Sequence, residues 1–250
     1  SKTNILAIIP ARMGSSRFPG KPMAKILGKP MIGHVYDNVK KNILLREVVV
    51  ATCDMDIYNY VTSIDGKAVM TSKKHERASD RCAEALLKIE DKSKIKYDVV
   101  VMVQGDEPMI QPEMISEAVE PLIRNQNVYI TNLIGKIKNN IEFKDKNCIK
   151  VVCDNKSDAL YFSRAPIPFN TTKNSYPMGK QICVIPFRRD FLIEYNNLKP
   201  TPLEIAESID MIRVLEHGMK VRMVPTDYDT FAVDTKKDLE KVEKIMIRSK

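Results

Sequence analysis

Short apolar runs alternate with amphipathic stretches through the first half of the chain. Residues 4–10, 47–51, 67–70 and 98–103 are rich in Val and Ile and read as buried strands. Between them, residues 31–42, 56–64 and 79–89 space their apolar positions as helices do, with Met31, Ile32, Val35 and Val39 on one face. This alternation predicts a largely parallel sheet with helices on both faces. Residues 4–103 therefore read as a nucleotide-binding half built from crossover units. Residues 112–123 predict a further helix, with Pro112 tolerated in its first turn.

The pattern changes after about residue 128. Residues 128–134, 148–153, 159–162 and 180–186 read as short strands separated by polar loops, and 170–178 as one such loop. This predicts an excursion from the core, either a second small sheet or a dimerisation arm. Helices are expected at 189–196 and 204–216, with Gly218 as a C-cap residue, then a strand at 221–224 and an amphipathic helix at 236–247. The expected organisation is α/β: one domain with its core at 1–127 and 197–250 and its excursion at 128–196. No internal repeat or low-complexity linker interrupts it.

Composition narrows the class. With 250 residues, 44% hydrophobic and 29% charged, the chain can bury a full core and is not generally disordered. No apolar stretch approaches the roughly 18–20 residues of a membrane span, and the run 5–9 lacks the flanks of a signal peptide. The expectation is a cytoplasmic protein without membrane insertion. Five scattered cysteines form no CxxC pair and read as reduced thiols. The net charge of +8 points to anionic partners without choosing among nucleotide, acidic sugar, nucleic acid and membrane surface.

The chemistry concentrates after the first strand, in Pro10-Ala11-Arg12-Met13-Gly14-Ser15-Ser16-Arg17-Phe18-Pro19-Gly20-Lys21-Pro22. In a parallel sheet this loop leaves the carboxyl end of a strand, where ligands bind. Gly14 lets backbone approach an anion, Ser15 and Ser16 add hydroxyl donors, and Arg12, Arg17 and Lys21 place three cations around a triphosphate. The spacing matches neither GxGxxG nor a Walker loop. A second signal is Val103-Gln104-Gly105-Asp106-Glu107-Pro108, where Asp106 either holds Mg²⁺ against phosphate oxygens or caps the next helix. A third is Ala232-Val233-Asp234-Thr235, where Asp234 is either an N-cap or a second magnesium ligand. His34, His75 and His217 share no ligand spacing.

These motifs resemble those of the cytidylyltransferases that activate 3-deoxy-manno-octulosonate (Kdo). The resemblance runs from residue 5 to about 244. It rests on Ile9-Pro10-Ala11-Arg12, Arg17-Phe18-Pro19-Gly20-Lys21-Pro22, Gly28-Lys29-Pro30-Met31-Ile32, the Gln104–Pro108 motif, Ala159-Leu160-Tyr161-Phe162-Ser163-Arg164, Pro200-Thr201-Pro202-Leu203-Glu204 and Val233-Asp234-Thr235. It implies a GT-A-like core, a homodimer formed through the excursion, and Mg²⁺ as cofactor. It implies transfer of CMP from CTP to a sugar acid, with release of pyrophosphate, for lipopolysaccharide or capsule synthesis. Carried onto matching positions, it makes Arg12, Lys21 and Asp106 catalytic and gives Asp106 and Asp234 the metal. The nucleotide would contact Ala11, Arg12, Gly14, Ser15, Arg17, Lys21, Thr71, Ser79, Asp80, Arg81 and Gln104. Arg164 would help hold the acceptor.

The sequence departs from the family pattern on the acceptor side. Arg77-Ala78-Ser79 stands where Ser-Gly-Thr is usual, Gln181 replaces a His, Ile185 a Tyr, and Met211 a Gln. Arg77, Gln181, Ile185 and Met211 thus become candidate acceptor contacts, and the expectation is that CTP and magnesium are retained while the acceptor is not ordinary Kdo. It would be a modified Kdo, a nonulosonate or another small acid. Two rivals stand beside this reading. A GT-A glycosyltransferase favours a DxD motif, which is absent around Asp106. A nucleic-acid-binding protein suits the charge, but no binding module or basic–aromatic interleaving is present.

Overall fold

The apolar runs form strands because both of their faces can be covered. In the computed structural model, which describes residues 2–172 and 176–250, the first half contains β1 (Ile5–Ala11), the small hairpin β2 (Lys25–Ile26) and β3 (Lys29–Pro30), α1 (Met31–Lys40) and β4 (Glu47–Thr52). It continues through α2 (Met55–Ser63), β5 (Ala68–Met70), α3 (Ala78–Ser93), β6 (Val99–Val103) and α4 (Pro112–Arg124). The second half contains β7 (Thr131–Lys136), α5 (Asn140–Lys144), β8 (Lys150–Cys153), β9 (Ala159–Ser163), β10 (Gly179–Gln181) and β11 (Val184–Arg188). It ends with α6 (Arg189–Asn196), α7 (Pro202–Glu207), α8 (Met211–Glu216), β12 (Arg222–Pro225) and α9 (Lys236–Arg248).

The first sheet has the order β11-β6-β1-β4-β5. β6, β1, β4 and β5 run parallel, and β11 closes the edge antiparallel to β6. Alternation along the strands sorts two cores. Leu6, Ile8, Val49, Ala51, Val100 and Met102 pack with α3, α6 and α8. Ile5, Ala7, Ile9, Val48, Val50, Val99, Val101 and Val103 pack with α1, α2 and α4. Each Val, Leu, Ile or Met side chain fully buried here contributes about 1.5–3 kcal/mol, which fixes the register of the parallel strands. β1 lies between β4 and β6, so the loops leaving the carboxyl ends of β1 and β6 emerge side by side, at the position where open α/β sheets bind ligands.

The second sheet has the order β12-β7-β10-β8-β9 and is antiparallel except for the β12–β7 pair. It realises the expected excursion with different bounds. β11 lies in the segment read as excursion yet belongs to the first sheet, and β12 lies in the segment read as core yet belongs to the second. The reason is a sheet switch inside what reads as one strand at 180–186. Val184 N donates to Ile182 O at 2.8 Å, and the Asn132 amide nitrogen reaches the carbonyls of Ile182 at 2.8 Å and Val184 at 3.2 Å. Ile182 and Val184, on either side of the switch, are both buried, so the apolar pattern runs on across it while the chain changes partners. The polar loop expected at 170–178 includes residues 173–175, which lie outside the described residues.

A second split divides the helix expected at 204–216. Ser208 adopts a left-handed conformation at φ 55°, and Ile209 N closes back on Glu204 O at 3.2 Å, so α7 ends and α8 restarts. Arg213 Nε then reaches Glu204 Oε1 at 2.7 Å, an ion pair buried across the break. No helix among the described residues is long and apolar enough to cross a membrane.

One surface of α3 supports an acid-stability prediction. Glu84 accepts from Ser72 N at 3.0 Å and lies 2.8 Å from His75 Nε2 and 2.9 Å from Lys88 Nζ. Burial pushes its carboxyl up, but hydrogen bonds from the Ser72 amide, Lys88 and His75, with the Lys88 charge, prevail and hold it at about 2, below its ordinary 4.5. A group depressed in the folded state stabilises fully above its unfolded value and loses that stability as the pH falls through the folded one. Urea unfolding is therefore expected to show stability falling between about pH 4.5 and 2, and Glu84→Gln is expected to flatten that fall. An identical pH slope in the variant would exclude the linkage.

Candidate active site at the carboxyl edge of the first sheet

The loop after β1 is held from within. Met13 N donates to Asp54 Oδ2 at 2.8 Å, tying the loop to the end of β4, and Gly20 N closes on Met13 O at 2.8 Å. Gly20 takes a left-handed φ of 75° that a side chain would resist. Phe18 is buried with Ile26, Met31, Val233 and Val242, so one aromatic anchor joins the loop to α1, α9 and the segment before α9. Arg12 stays exposed and makes no hydrogen bond or ion pair among the described residues, while Arg17 bonds Asn147 Oδ1. Gly14 has open space around its Cα, and Ser15 is half-buried.

Lys21 opens a 3-10 turn (Lys21–Met23) and reaches across to the loop after β6. Its ammonium lies 2.6 Å from Asp106 Oδ1 and donates to Val233 O at 3.0 Å. Val233 N donates in turn to Asp106 O at 2.8 Å. Asp106 caps no helix, because Gln111 holds the N-cap position of α4. Nor is Asp234 the cap of α9: Thr235 is, in a reciprocal capping box with Asp238. Both carboxylates are thus left for the site. Burial, with Asp106 alongside, pushes Asp234 up to about 6, against the pull of Lys21 and Arg17. Gln104 N bonds Cys183 O at 3.0 Å, and Cys183 Sγ lies 3.9 Å from Asp106 Oδ2. Ala11 is buried at the end of β1.

Asp106, paired with Lys21, and Asp234 are neighbouring half-buried carboxylates. Among the described residues, no group of three His, Cys, Asp or Glu side chains is placed to cage a metal ion. Two hard oxygen ligands beside a cationic loop fit an ion that keeps waters and takes phosphate oxygens, which is the habit of Mg²⁺. The donor set does not fit zinc, which wants four closed ligands or three with nitrogen and sulfur among them.

The remaining predicted residues divide. Arg81 is buried and bonds Thr71 Oγ1 and Ser72 O, so this cation braces the loop after β5 and is not presented to a ligand. Thr71 is committed to that contact. Ser79 is buried beside the Tyr195 hydroxyl. Arg77 is neutralised by Asp80, with Nη2 to Oδ1 at 2.6 Å and Nε to Oδ2 at 3.1 Å, and its guanidinium lies over the Tyr195 ring at 5.1 Å. Arg164 gives three donors to the carbonyls of Glu207, Lys146 and Ser208 at 2.6, 2.9 and 2.9 Å. Gln181 Nε2 bonds Asn132 Oδ1 at 2.7 Å. Ile185 and Met211 are 3% and 1% exposed, inside the core cluster that also holds residues of α3 and α6.

Sequence reasoning missed two residues. Asn147 orients Arg17, and nothing in its loop marks it. Glu107 is buried behind Asp106 with its Oε1 accepting from Phe231 N, and burial pushes its carboxyl up to about 7, against that amide's pull. Its place in the Gly-Asp-Glu-Pro motif was the available signal.

A mostly parallel sheet whose first loop carries three cations, with Lys21 against Asp106 and both Lys21 and Arg17 near Asp234, is the class of fold and candidate site expected of a nucleotidyltransferase. A family model described as cytidylyltransferase matches residues 6–221. The 3-deoxy-manno-octulosonate cytidylyltransferases of Geobacter metallireducens and Geobacter sulfurreducens are 43% and 44% identical, covering 95% and 96% of this chain and 96% and 98% of their own. That of Fusobacterium nucleatum is 41% identical over 95% of this chain and 94% of its own. The solved CMP:2-keto-3-deoxy-manno-octonic acid synthetase complexed with CTP superposes at a TM-score of 0.90, with 35% identity, 99% of this chain and 100% of that one. The chain belongs to the cytidylyltransferase family, among the 3-deoxy-manno-octulosonate cytidylyltransferases.

Proposed function

We propose that the protein transfers CMP from CTP to Kdo, releasing pyrophosphate and supplying the activated sugar for lipopolysaccharide synthesis. The observation that carries this is near-full-length identity of 43% to a 3-deoxy-manno-octulosonate cytidylyltransferase, joined to a cationic loop facing two carboxylates. In the reaction the anomeric hydroxyl of the acceptor attacks the α-phosphorus of CTP. The new O–P bond forms as the bond to the β-phosphate oxygen breaks, and the hydroxyl proton is lost to solvent or a nearby oxygen.

This chain's residues act by position and charge. Arg12, Arg17 and Lys21 take the triphosphate, and Lys21, already held at two points, sits where negative charge grows on the leaving pyrophosphate. Asp106 and Asp234 are the residues that would hold Mg²⁺, which when bound supplies charge neutralisation at the phosphate oxygens. The Gly14 backbone offers close approach.

Kdo is preferred to an altered acceptor because the departures are absorbed by the fold: Arg77 by Asp80, Gln181 by Asn132, Ile185 and Met211 by the core. A homodimer through the second sheet is supported by its edge strand β9, with Leu160 61% exposed, and by Ile205 on α7, 68% exposed. A CTP-consuming enzyme belongs in the cytoplasm. The test is a pyrophosphate-release screen with CTP and Mg²⁺ against Kdo, modified Kdo, nonulosonates and other small acids. Kdo is expected to give the highest kcat/KM. A better acceptor among the others would overturn the assignment, and turnover with CTP and no acceptor would overturn the transfer.

A further inference from the structure

We propose that Glu107 is the positioning residue that sets Asp234 against Asp106 and Lys21, by holding the irregular segment that carries Asp234. This rests on the two carboxylates serving as the metal pair. Residues 227–233 form neither helix nor strand, so their backbone groups need partners from elsewhere. Those partners are specific. Lys138 Nζ donates to Thr230 O at 3.3 Å and lies over the Phe231 ring at 4.4 Å. Glu107 Oε1 accepts from Phe231 N. Asp106 O accepts from Val233 N at 2.8 Å, and Val233 O accepts from Lys21 at 3.0 Å. Asp234 N and Thr235 N both donate to Asp238 Oδ2, at 2.9 and 3.0 Å.

Of these anchors only Glu107 is a buried carboxylate, 7% exposed, adjacent in sequence to Asp106 and bonded to the segment three residues before Asp234. It therefore couples the two loops through one rigid side chain. Its bond is to backbone, and its carboxyl lies within the electrostatic reach of Lys180 on β10 and of Lys138 in the loop after β7. Lys180 is itself paired with Glu142. A carboxyl this enclosed, turned to a backbone amide, serves geometry and not a reacting atom.

Reach separates this role from simple charge. Glu107→Gln keeps an acceptor oxygen at the same distance, whereas Glu107→Asp keeps the charge but falls one methylene short of Phe231 N. The experiment titrates Mn²⁺ into each full-length variant with CTP present and no acceptor, followed by electron paramagnetic resonance, together with amide exchange of the peptide spanning residues 230–235. Expected are wild-type Mn²⁺ affinity within about threefold for Glu107→Gln, a loss of about 10–100-fold for Glu107→Asp, and faster exchange in the Asp variant only. In steady state the Asp variant should lose kcat while KM for CTP stays within about threefold, since the cationic loop is untouched.

Equal Mn²⁺ affinity in Glu107→Asp and wild type would overturn the positioning role, as would a Gln variant as defective as the Asp one. No Mn²⁺ binding by the wild type would overturn the metal pair and this inference with it, while pyrophosphate release from Kdo would still stand. If Glu107→Asp does not fold, Glu107→Leu, which fills the same space without an acceptor, carries the test against Glu107→Gln: faster exchange of 230–235 and weaker Mn²⁺ binding in the Leu variant only support the clamp, and protection or Mn²⁺ affinity in the Leu variant equal to wild type overturns it.

Discussion

Lys21→Met is expected to lower kcat/KM for CTP-dependent pyrophosphate release by about 10²–10³-fold, the usual cost of removing one preorganised donor from a developing oxyanion. The size follows from how the ammonium is placed. It is 17% exposed, lies 2.6 Å from Asp106 Oδ1, and donates to Val233 O at 3.0 Å. Two of its three N–H groups are thereby fixed, and the third is left for a phosphate oxygen. A side chain held this way reorganises little as charge develops, unlike an exposed surface lysine.

Methionine of similar length removes the charge while still packing its stem, so folding should be spared. The variant also leaves Asp106 and Asp234 facing each other without their nearest cation, and Asp234 already sits as high as about 6 through burial and Asp106. The metal-free variant is accordingly expected to bind CTP more weakly as well. Steady-state kinetics at saturating Mg²⁺, with an unchanged thermal midpoint as the control, check the prediction. A kcat/KM within threefold of wild type would remove Lys21 from the catalytic set.

The second large effect is on stability. Arg213→Met should cost about 3–5 kcal/mol, because breaking a buried ion pair from one side strands the other charge. Arg213 and Glu204 side chains are 5% and 6% exposed, with Nε to Oε1 at 2.7 Å, and Arg213 also donates to Leu198 O at 2.9 Å. The same Glu204 oxygen accepts from Thr201 N at 3.0 Å in the capping box of α7, so one carboxylate organises both helices on either side of the break at Ser208. Urea unfolding measures the loss. Adding Glu204→Leu to Arg213→Met should recover part of it, since no charge is then left unpaired, although the cap is lost. A single-variant cost under 1 kcal/mol would mean that water or another side chain replaces the guanidinium.

Much of this molecule is written in local pattern. The Val- and Ile-rich runs determine β1, β4, β5 and β6, because a strand covered on both faces admits few other residues. Helical spacing determines α1 through α4 and α9. The density of cations after the first strand, and the two isolated carboxylates at Asp106 and Asp234, mark the site without any coordinates, since few structural roles call for three cations in one loop. Family resemblance added the nucleotide and the acceptor class.

Tertiary structure alone decided the rest. Apolar pattern records burial but not the partner, so residues 180–186 read as one strand while the chain passes from one sheet to the other at Ile182 and Cys183. The left-handed turn at Ser208, a residue with no strong preference for it, is sustained by the Glu204–Arg213 pair formed nine residues apart. Substitution pattern suggested that Arg77, Gln181, Ile185 and Met211 reshape an acceptor pocket. Three-dimensional packing shows what pattern could not: Arg77 meets Asp80, Gln181 meets Asn132, and Ile185 and Met211 lie in the core. Charge density likewise could not separate Lys21, which meets Asp106, from Arg81, which braces Thr71. Sequence specifies which groups are available and how local segments fold. Which charges face a ligand and which face each other depends on contacts between residues far apart in the chain, and that was settled only when β1, β6 and the segment before α9 came together.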